Sequence, residues 1–75
     1  MEDITKRHLT RLSIDLPYTL SMIFVNFLYL HEEDESDISI DIRNDILNLV
    51  NYRGIEKCKR AKILLTKINN YVNGE

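Results

Sequence analysis

The sequence predicts an all-α protein, a small bundle of three to four helices that forms a single domain over residues 1–75. Three observations lead to this prediction. Apolar residues recur three and four positions apart over most of the chain, which is the period of an amphipathic helix. Only Pro17 and the glycines Gly54 and Gly74 interrupt the pattern. The one alternating stretch, residues 12–16, has no second strand signal to pair with, so we expect a connector there.

Two helices are expected in the first half of the chain. Residues 4–12 place their apolar side chains on one side of a short helix. A second helix is expected over residues 17–30, because Pro17 suits a first turn, where its missing N–H is not needed. Asp15 stands just upstream of that turn and is predicted to cap it. The connector therefore lies between these two helices.

Two further helices are expected in the second half. The third begins at Ser36 or Asp37, which are good N-cap residues, and ends at Gly54, a typical C′ residue. Its apolar face is formed by Ile38, Ile42, Ile46, Leu49 and Val50. The fourth helix runs over residues 55–72. Its apolar seam recurs at alternating spacings of three and four, at Cys58, Ala61, Leu65, Ile68 and Val72, which predicts packing against a neighbouring helix.

The helix predicted over residues 17–30 is apolar almost all round. Only Thr19, Ser21 and Asn26 interrupt it, and a helix of this kind is expected to be buried on every side. A membrane span is not expected, because the run 16–30 would reach about 22 Å as a helix, whereas a hydrocarbon core is about 30 Å thick. We therefore predict a central core helix. In so small a chain, part of its surface is expected to meet another chain.

The small size of the chain predicts association with a second polypeptide. A domain of this length buries only about 60% of the surface that its unfolded chain exposes. Small proteins are usually stabilised in addition by disulfides, a metal or a partner. The single cysteine, Cys58, excludes an intramolecular disulfide, and both histidines lie far from it in the sequence, so no zinc site or other cofactor is expected. A homodimer or a protein complex remains, with Phe24, Phe27 and Leu28 as the expected contacts.

The single thiol also bears on the compartment. A chain without a disulfide framework is typical of a reducing environment. The N-terminus, Met1-Glu2-Asp3, is acidic where a secretory signal peptide would be basic. We therefore expect a cytoplasmic protein, in which Cys58 is a small core residue on the apolar seam.

Charge is sharply segregated along the chain. Residues 31–45 hold seven acids and one base, whereas residues 53–67 hold six bases and one acid. A basic face can bind phosphate or an acidic partner, and its candidate contacts are Arg53, Lys57, Lys59, Arg60 and Lys62. The net charge of −2 does not favour non-specific binding to nucleic acid. The two segments can equally pair with each other on the surface of one bundle.

Residues 45–64 invite comparison with a helix-turn-helix. A helix, a turn with Gly54 and a basic second helix occur in the required order. The match is partial, because Arg60 stands where the motif would bury an aliphatic residue. Ile63 lies among basic residues and is either a partner contact rimmed by bases or a singly exposed aliphatic side chain.

No sequence motif predicts catalysis. The chain has no phosphate-binding loop, nucleophile elbow or zinc-protease motif, and its acidic segment lacks the central glycine of a calcium-binding EF-hand loop. We therefore expect a protein that is not an enzyme. The first hypothesis is a small regulatory or adaptor protein that acts by protein–protein interaction, as a homodimer. The alternatives are a DNA-binding regulator that uses the Gly54-hinged helix pair, and a toxin- or bacteriocin-immunity protein whose residues 32–37 meet a basic enzyme.

Overall fold

The computed structural model describes the backbone of residues 2–74 and the side chains of residues 7–74. It contains four α-helices, which are α1 (Glu2–Ser13), α2 (Tyr18–Leu30), α3 (Asp37–Asn48) and α4 (Gly54–Val72). A 3₁₀ turn, Leu49–Asn51, follows α3. No strand occurs between residues 2 and 74, so the predicted all-α fold is confirmed.

The helices share one core. Helix α1 packs on α2, α3 packs on α4, and α3 also lies against α2. The radius of gyration of the Cα atoms is 11.7 Å, close to the value of about 11 Å expected for a folded domain of this length. The buried apolar residues form one cluster, made of Leu12, Leu16, Phe24, Val25, Phe27, Ile42, Ile46, Leu49, Ala61, Leu64 and Ile68. The molecule is therefore one compact helical domain.

Helix α2 matches the segment predicted to be the apolar helix, but it is not enclosed on every side. Its buried residues are Ser21, Phe24, Val25 and Phe27. The side chain of Leu30, by contrast, is 75% exposed. The expectation of burial all round is wrong, because among the described helices only α1 and α3 approach the backbone of α2 closely. Within residues 2–74, no helix has both the length and the apolar character that crossing a membrane requires.

The connection between α3 and α4 differs from the predicted one. Helix α3 ends at Asn48, and after the 3₁₀ turn Tyr52 and Arg53 have extended backbones. Gly54 then opens α4 with a φ of +62°. The prediction that Gly54 ends α3 is wrong. The left-handed backbone that glycine adopts without strain is used here to start the next helix.

Helix α4 buries a face that is rotated from the predicted seam. Its buried residues are Lys57, Ala61, Leu64 and Ile68, and only Ala61 and Ile68 belong to both sets. Val72, at the end of the predicted seam, is 66% exposed. The rotation brings Lys57 to the interior, where its ammonium group reaches backbone carbonyls at the end of α1.

Candidate functional site: the uncharged face of helix α2

Helix α2 presents an exposed face without any charge. At 100° per residue, its exposed residues lie within one arc of the helix: Tyr18, Thr19, Met22, Ile23, Asn26, Tyr29 and Leu30. We call this set the α2 face. Its five large apolar or aromatic members have exposed fractions from 42% at Met22 to 75% at Leu30. Contiguous exposed apolar surface on a small domain marks an interaction site more often than chance.

The two ends of the α2 face differ in charge. At the first turn of α2, no acid is present and no side chain caps the helix, so the positive end of the helix dipole is not neutralised there. Near this end, Arg53 is paired with Asp15 at 3.1 Å, so these two opposite charges balance each other. The exposed acids Glu32, Glu33 and Glu35 follow the other end. The α2 face therefore runs from an end where only the helix dipole is positive to an end followed by exposed acids.

Of the four residues predicted from the sequence to contact a partner, three pack in or against the core of the single chain. Phe24 is fully buried, Phe27 is 4% exposed, and Leu28 is partly buried against the core. Residues that form the core are not available to a partner, which corrects the assignment of Phe24 and Phe27. Ile63, the fourth, is 63% exposed on α4.

The sequence does carry a signal for the exposed side of α2, in the positions of its few polar residues. Thr19 and Asn26 both lie on the α2 face. The third polar residue, Ser21, is fully buried and donates its hydroxyl to the carbonyl of Pro17 at 3.3 Å, as serine does inside helices. A helical wheel centred on Thr19 and Asn26 therefore locates the exposed side.

Three of the five predicted basic contacts are engaged within the chain. Lys57 is fully buried, which corrects its assignment to a surface. The guanidinium of Arg60 donates to the Glu56 carboxylate at 2.8 Å and lies 4.0 Å from the centre of the Tyr52 ring. Arg53 is paired with the acid that follows α1. Much of the predicted basic face is thus already committed to intramolecular contacts.

Lys59 and Lys62 are the remaining two basic contacts. Both are exposed, and neither bonds to a side chain in the part of the molecule whose side chains are described. They lie near Ile55, which is 77% exposed, and Ile63 on the outer side of α4. No acid occurs between residues 57 and 67. This surface is a second, smaller candidate for partner binding.

The ammonium group of Lys57 caps the end of α1. It donates to the backbone carbonyl of Arg11 at 3.1 Å and to that of Ile14 at 2.6 Å. The last carbonyls of a helix have no partner within the helix, so a cation placed there satisfies them and meets the negative end of the dipole. Burial lowers the pKa of Lys57 below its ordinary value of 10.5.

Asp15 provides the reciprocal cap on α4. Its carboxylate accepts the backbone N–H of Gly54 at 2.8 Å and the Nε–H of Arg53 at 3.1 Å. The Gly54 N–H and then the Arg53 side chain lower the pKa of Asp15 below 3.8. The Cys58 thiol adds a contact of 3.4 Å to the Asp15 carbonyl. The prediction that Asp15 caps α2 is wrong, because its side chain turns to α4 instead.

The acidic segment 32–37 is held against α3 and α4. Arg43 donates to the backbone carbonyls of Glu32 and Asp34, and the Tyr71 hydroxyl donates to the Asp34 carboxylate. This last hydrogen bond lowers the pKa of Asp34 below 3.8 and raises that of Tyr71 above 10.0. The acids of the segment that remain exposed are Glu32, Glu33, Glu35 and Asp37. These carboxylates are the groups that the immunity-protein hypothesis would use.

The grooves between the helices are open. One groove of about 420 Å³ lies between α3 and α4, with Ile38 and Tyr71 in its lining. Lys67 also lines it and bonds to Asp41 at 2.9 Å and to Asp45 at 2.7 Å. Among the described residues, no group of three or more His, Cys, Asp or Glu side chains is placed to hold a metal ion.

Comparison of the chain with models of protein families found no match, and comparisons with curated proteins and with solved structures found none either.

Proposed function

We propose that this protein is a non-catalytic regulatory or adaptor protein that acts by binding another protein through the α2 face. The observation that carries the proposal is the exposure of five large apolar or aromatic side chains on a helix that contains no charged residue. Depletion of charge and enrichment in tyrosine and methionine distinguish the centre of a protein–protein interface from the rest of a surface.

The energetics support the same conclusion. Removing apolar area from water contributes roughly 25 cal/mol per Å². A chain of this size has little core to spare, yet Tyr29 and Leu30 are 53% and 75% exposed. A partner that covers them adds hydrophobic stabilisation that the isolated chain lacks. The two tyrosines can also direct their hydroxyl groups to water or to a partner while their rings are covered.

A photo-crosslinking experiment in the source cells tests this function. A photoreactive phenylalanine analogue replaces Tyr29 in one variant and Asn44, which is exposed on α3, in the control variant. We expect a discrete protein adduct from position 29 and none from position 44. Irradiation that yields no protein adduct from position 29, or the same adduct from both positions, would contradict the proposal.

DNA binding stays a second hypothesis, and one observation favours it. Lys59 and Lys62 are exposed on α4, and no acid lies between residues 57 and 67. The backbone N–H of Gly54, which could otherwise bind a phosphate at the start of α4, already donates to Asp15. Two lysines alone provide a weak electrostatic footprint.

A further inference from the structure

We propose that the α2 face binds a second copy of this chain, with the two α2 helices antiparallel about a two-fold axis at the level of Phe24. This inference rests on the proposed function and names the partner. It is argued from the symmetry of the exposed positions, from the charges at the two ends, and from the area available.

The exposed positions of α2 are nearly symmetric about residue 24. Counting outwards from Phe24, the exposed pairs are Met22 with Asn26, Thr19 with Tyr29, and Tyr18 with Leu30. Among the α2 face residues, only Ile23 lacks an exposed counterpart, because Val25, at the same distance on the other side of Phe24, is buried. When two antiparallel helices are related by a two-fold axis perpendicular to them, the first residue of each of these residue pairs faces the second residue in the other copy. A two-fold interface must be self-complementary in this way.

The exposed positions also have the spacing that helix pairs use. Thr19, Met22, Asn26 and Tyr29 follow one another at intervals of three, four and three, which is the spacing of a seam between two packed helices. Phe24 lies on the opposite side of the helix and is fully buried. Each copy can therefore use its α2 for its own core and for the pair at the same time.

The charges at the ends of α2 favour the antiparallel arrangement over the parallel one. A parallel pair would bring the exposed Glu32, Glu33 and Glu35 of both copies together, and like charges repel. The antiparallel pair instead places these acids beside the first turn of the other α2, where the helix dipole is positive and the turn itself contains no acid. Opposite ends of two helix dipoles attract each other.

The surface area that two α2 helices can bury against each other indicates a weak dimer. Helix α2 is about 20 Å long at 1.5 Å per residue, so a single pair of helices covers less than the roughly 800 Å² per partner of a standard interface. Weak and transient complexes are found at the small end of the size range, below about 1,200 Å² in total. We therefore expect association that depends on concentration, within the range from about 1 µM to about 1 mM.

Sedimentation equilibrium of the purified chain tests the dimer. We expect the average mass to rise from that of one chain, 8.9 kDa, towards twice that value as the concentration increases. Met22→Glu and Asn26→Asp each place a charge at the centre of the interface and should weaken association at least tenfold. Asn26→Asp changes only an exposed polar side chain, so it reports on association even if Met22→Glu unfolds the chain. Ile63→Glu, at a more exposed apolar position on α4, is the matched control and should dimerise as the wild type does.

Two results would overturn the inference. One is a wild-type chain that stays at the mass of one chain up to about 1 mM, the weak end of the expected range. The other is a loss of association in Ile63→Glu equal to that in Asn26→Asp. If the chain is monomeric while position 29 still forms an adduct with a different protein, the second copy is excluded and the proposed function stands. An adduct of two identical chains supports both.

Disulfide trapping tests the orientation. Thr19→Cys and Tyr29→Cys are prepared separately in a Cys58→Ser background and mixed. The antiparallel pair predicts a disulfide between position 19 of one copy and position 29 of the other, because a disulfide requires Cα atoms within about 7 Å. Disulfides that form only between identical positions would show a parallel pair and overturn the antiparallel arrangement.

Discussion

The carboxylate of Asp15 accepts a hydrogen bond from the backbone N–H of Gly54, 2.8 Å away and 39 residues further along the chain. Asp15 adopts a left-handed backbone with a φ of +66°, a conformation that aspartate tolerates better than most residues. Together with the bond from Lys57 to the carbonyl of Ile14, this contact joins the end of α1 to the start of α4. The joint between α1 and α4 therefore depends on two charged side chains, those of Asp15 and Lys57.

Replacing Asp15 tests the cap on α4. We expect Asp15→Ala to lower Tm by several degrees, the effect typical of a lost N-cap in a domain this small. Asp15→Gly should lower it less, because glycine also loses the cap but is not strained at positive φ. The pKa of Asp15 is lowered in the folded state, so its stabilisation is present above 3.8 and is lost as pH falls through the lower folded value.

Thermal unfolding of the three proteins at pH 7 and at about pH 2, below the reference pKa of aspartate, checks this prediction. The difference between wild type and Asp15→Gly should shrink at the lower pH. Asp15→Asn is the control, because its amide oxygen can still accept the Gly54 N–H and asparagine also tolerates positive φ. Equal Tm values for the wild type and Asp15→Ala at pH 7 would contradict the role of the cap.

Replacing Lys57 tests the cap on α1. Lys57→Met keeps the apolar stem but leaves the carbonyls of Arg11 and Ile14 without their donor, which should lower the free energy of unfolding by about 1–3 kcal/mol. Lys57→Ala should lower it further, because it also leaves a cavity. Urea unfolding measures both changes. A Lys57→Met variant as stable as the wild type would show that the buried ammonium contributes nothing.

The lowered pKa of Lys57 also predicts how the stability of the protein depends on pH. Its pKa is lowered in the folded state, chiefly by burial, so between the folded value and 10.5 the unfolded chain binds more protons. The stability of the wild type should therefore rise relative to that of Lys57→Met as pH increases through this window. Comparing the two proteins cancels the titration of Lys67 and Tyr71, which both variants share. A constant difference between them would contradict a lowered pKa.

The hydrogen bond from Tyr71 to Asp34 should hold the acidic segment in place. We expect Tyr71→Phe to be less stable than the wild type at pH 7. The difference in stability between the two proteins should become smaller as pH falls below 3.8 and through the lowered pKa of Asp34. A carboxylate with a lowered pKa stabilises the fold only while it is ionised. The same difference in stability should also become smaller as pH rises beyond 10.0 and through the raised pKa of Tyr71. The hydroxyl of Tyr71 stabilises the fold only while it is protonated.

Hydrogen exchange provides an independent measurement of the same contact. The amides of residues 31–36 should exchange faster in Tyr71→Phe, while those of α1 should not change. Tyr29→Phe is the matched control, since Tyr29 is 53% exposed and should tolerate the loss of its hydroxyl. Unchanged exchange in residues 31–36 would show that the hydrogen bond does not restrain the segment.

Phe24 and Ile23 are neighbours with opposite roles. Phe24→Ala should lower the free energy of unfolding by about 3–5 kcal/mol, because the side chain is fully buried. That is a large share of the roughly 4–11 kcal/mol expected for a chain of this length. Ile23→Ala, at a residue 44% exposed, should cost far less in dilute solution. Comparable losses in the two variants by urea unfolding would contradict the assignment of the core.

Fluorescence anisotropy with labelled random duplex DNA tests the second hypothesis. With only Lys59 and Lys62 free among the predicted contacts, the slope of log K against log salt should be no steeper than about −2. Lys59→Glu combined with Lys62→Glu should remove whatever binding occurs without unfolding the chain. Micromolar binding with a slope steeper than about −4 would indicate more phosphate contacts than Lys59 and Lys62 provide and would favour a DNA-binding function.

The sequence predicted the helices well, because helices arise from local patterns. The segments 4–12, 17–30 and 55–72 fall within a few residues of α1, α2 and α4. Ser36 does cap α3, accepting the backbone N–H of Ser39 at 3.3 Å. The candidate site was predicted less well. The apolar residues of α2 show no periodicity, and only Thr19 and Asn26 mark the side that faces solvent, so Phe24 and Phe27 were assigned to a partner although they belong to the core.

By itself, the sequence determined the all-α class, the approximate limits of the helices and the absence of charge from α2, since each depends on residues that are close along the chain. The tertiary structure alone decided how much of α2 remains exposed and where Asp15 and Lys57 direct their charges. Their partners lie 39 and 43–46 residues away, and no local pattern encodes a contact over that distance. Burying Lys57 required carbonyl groups that only the packed end of α1 could supply.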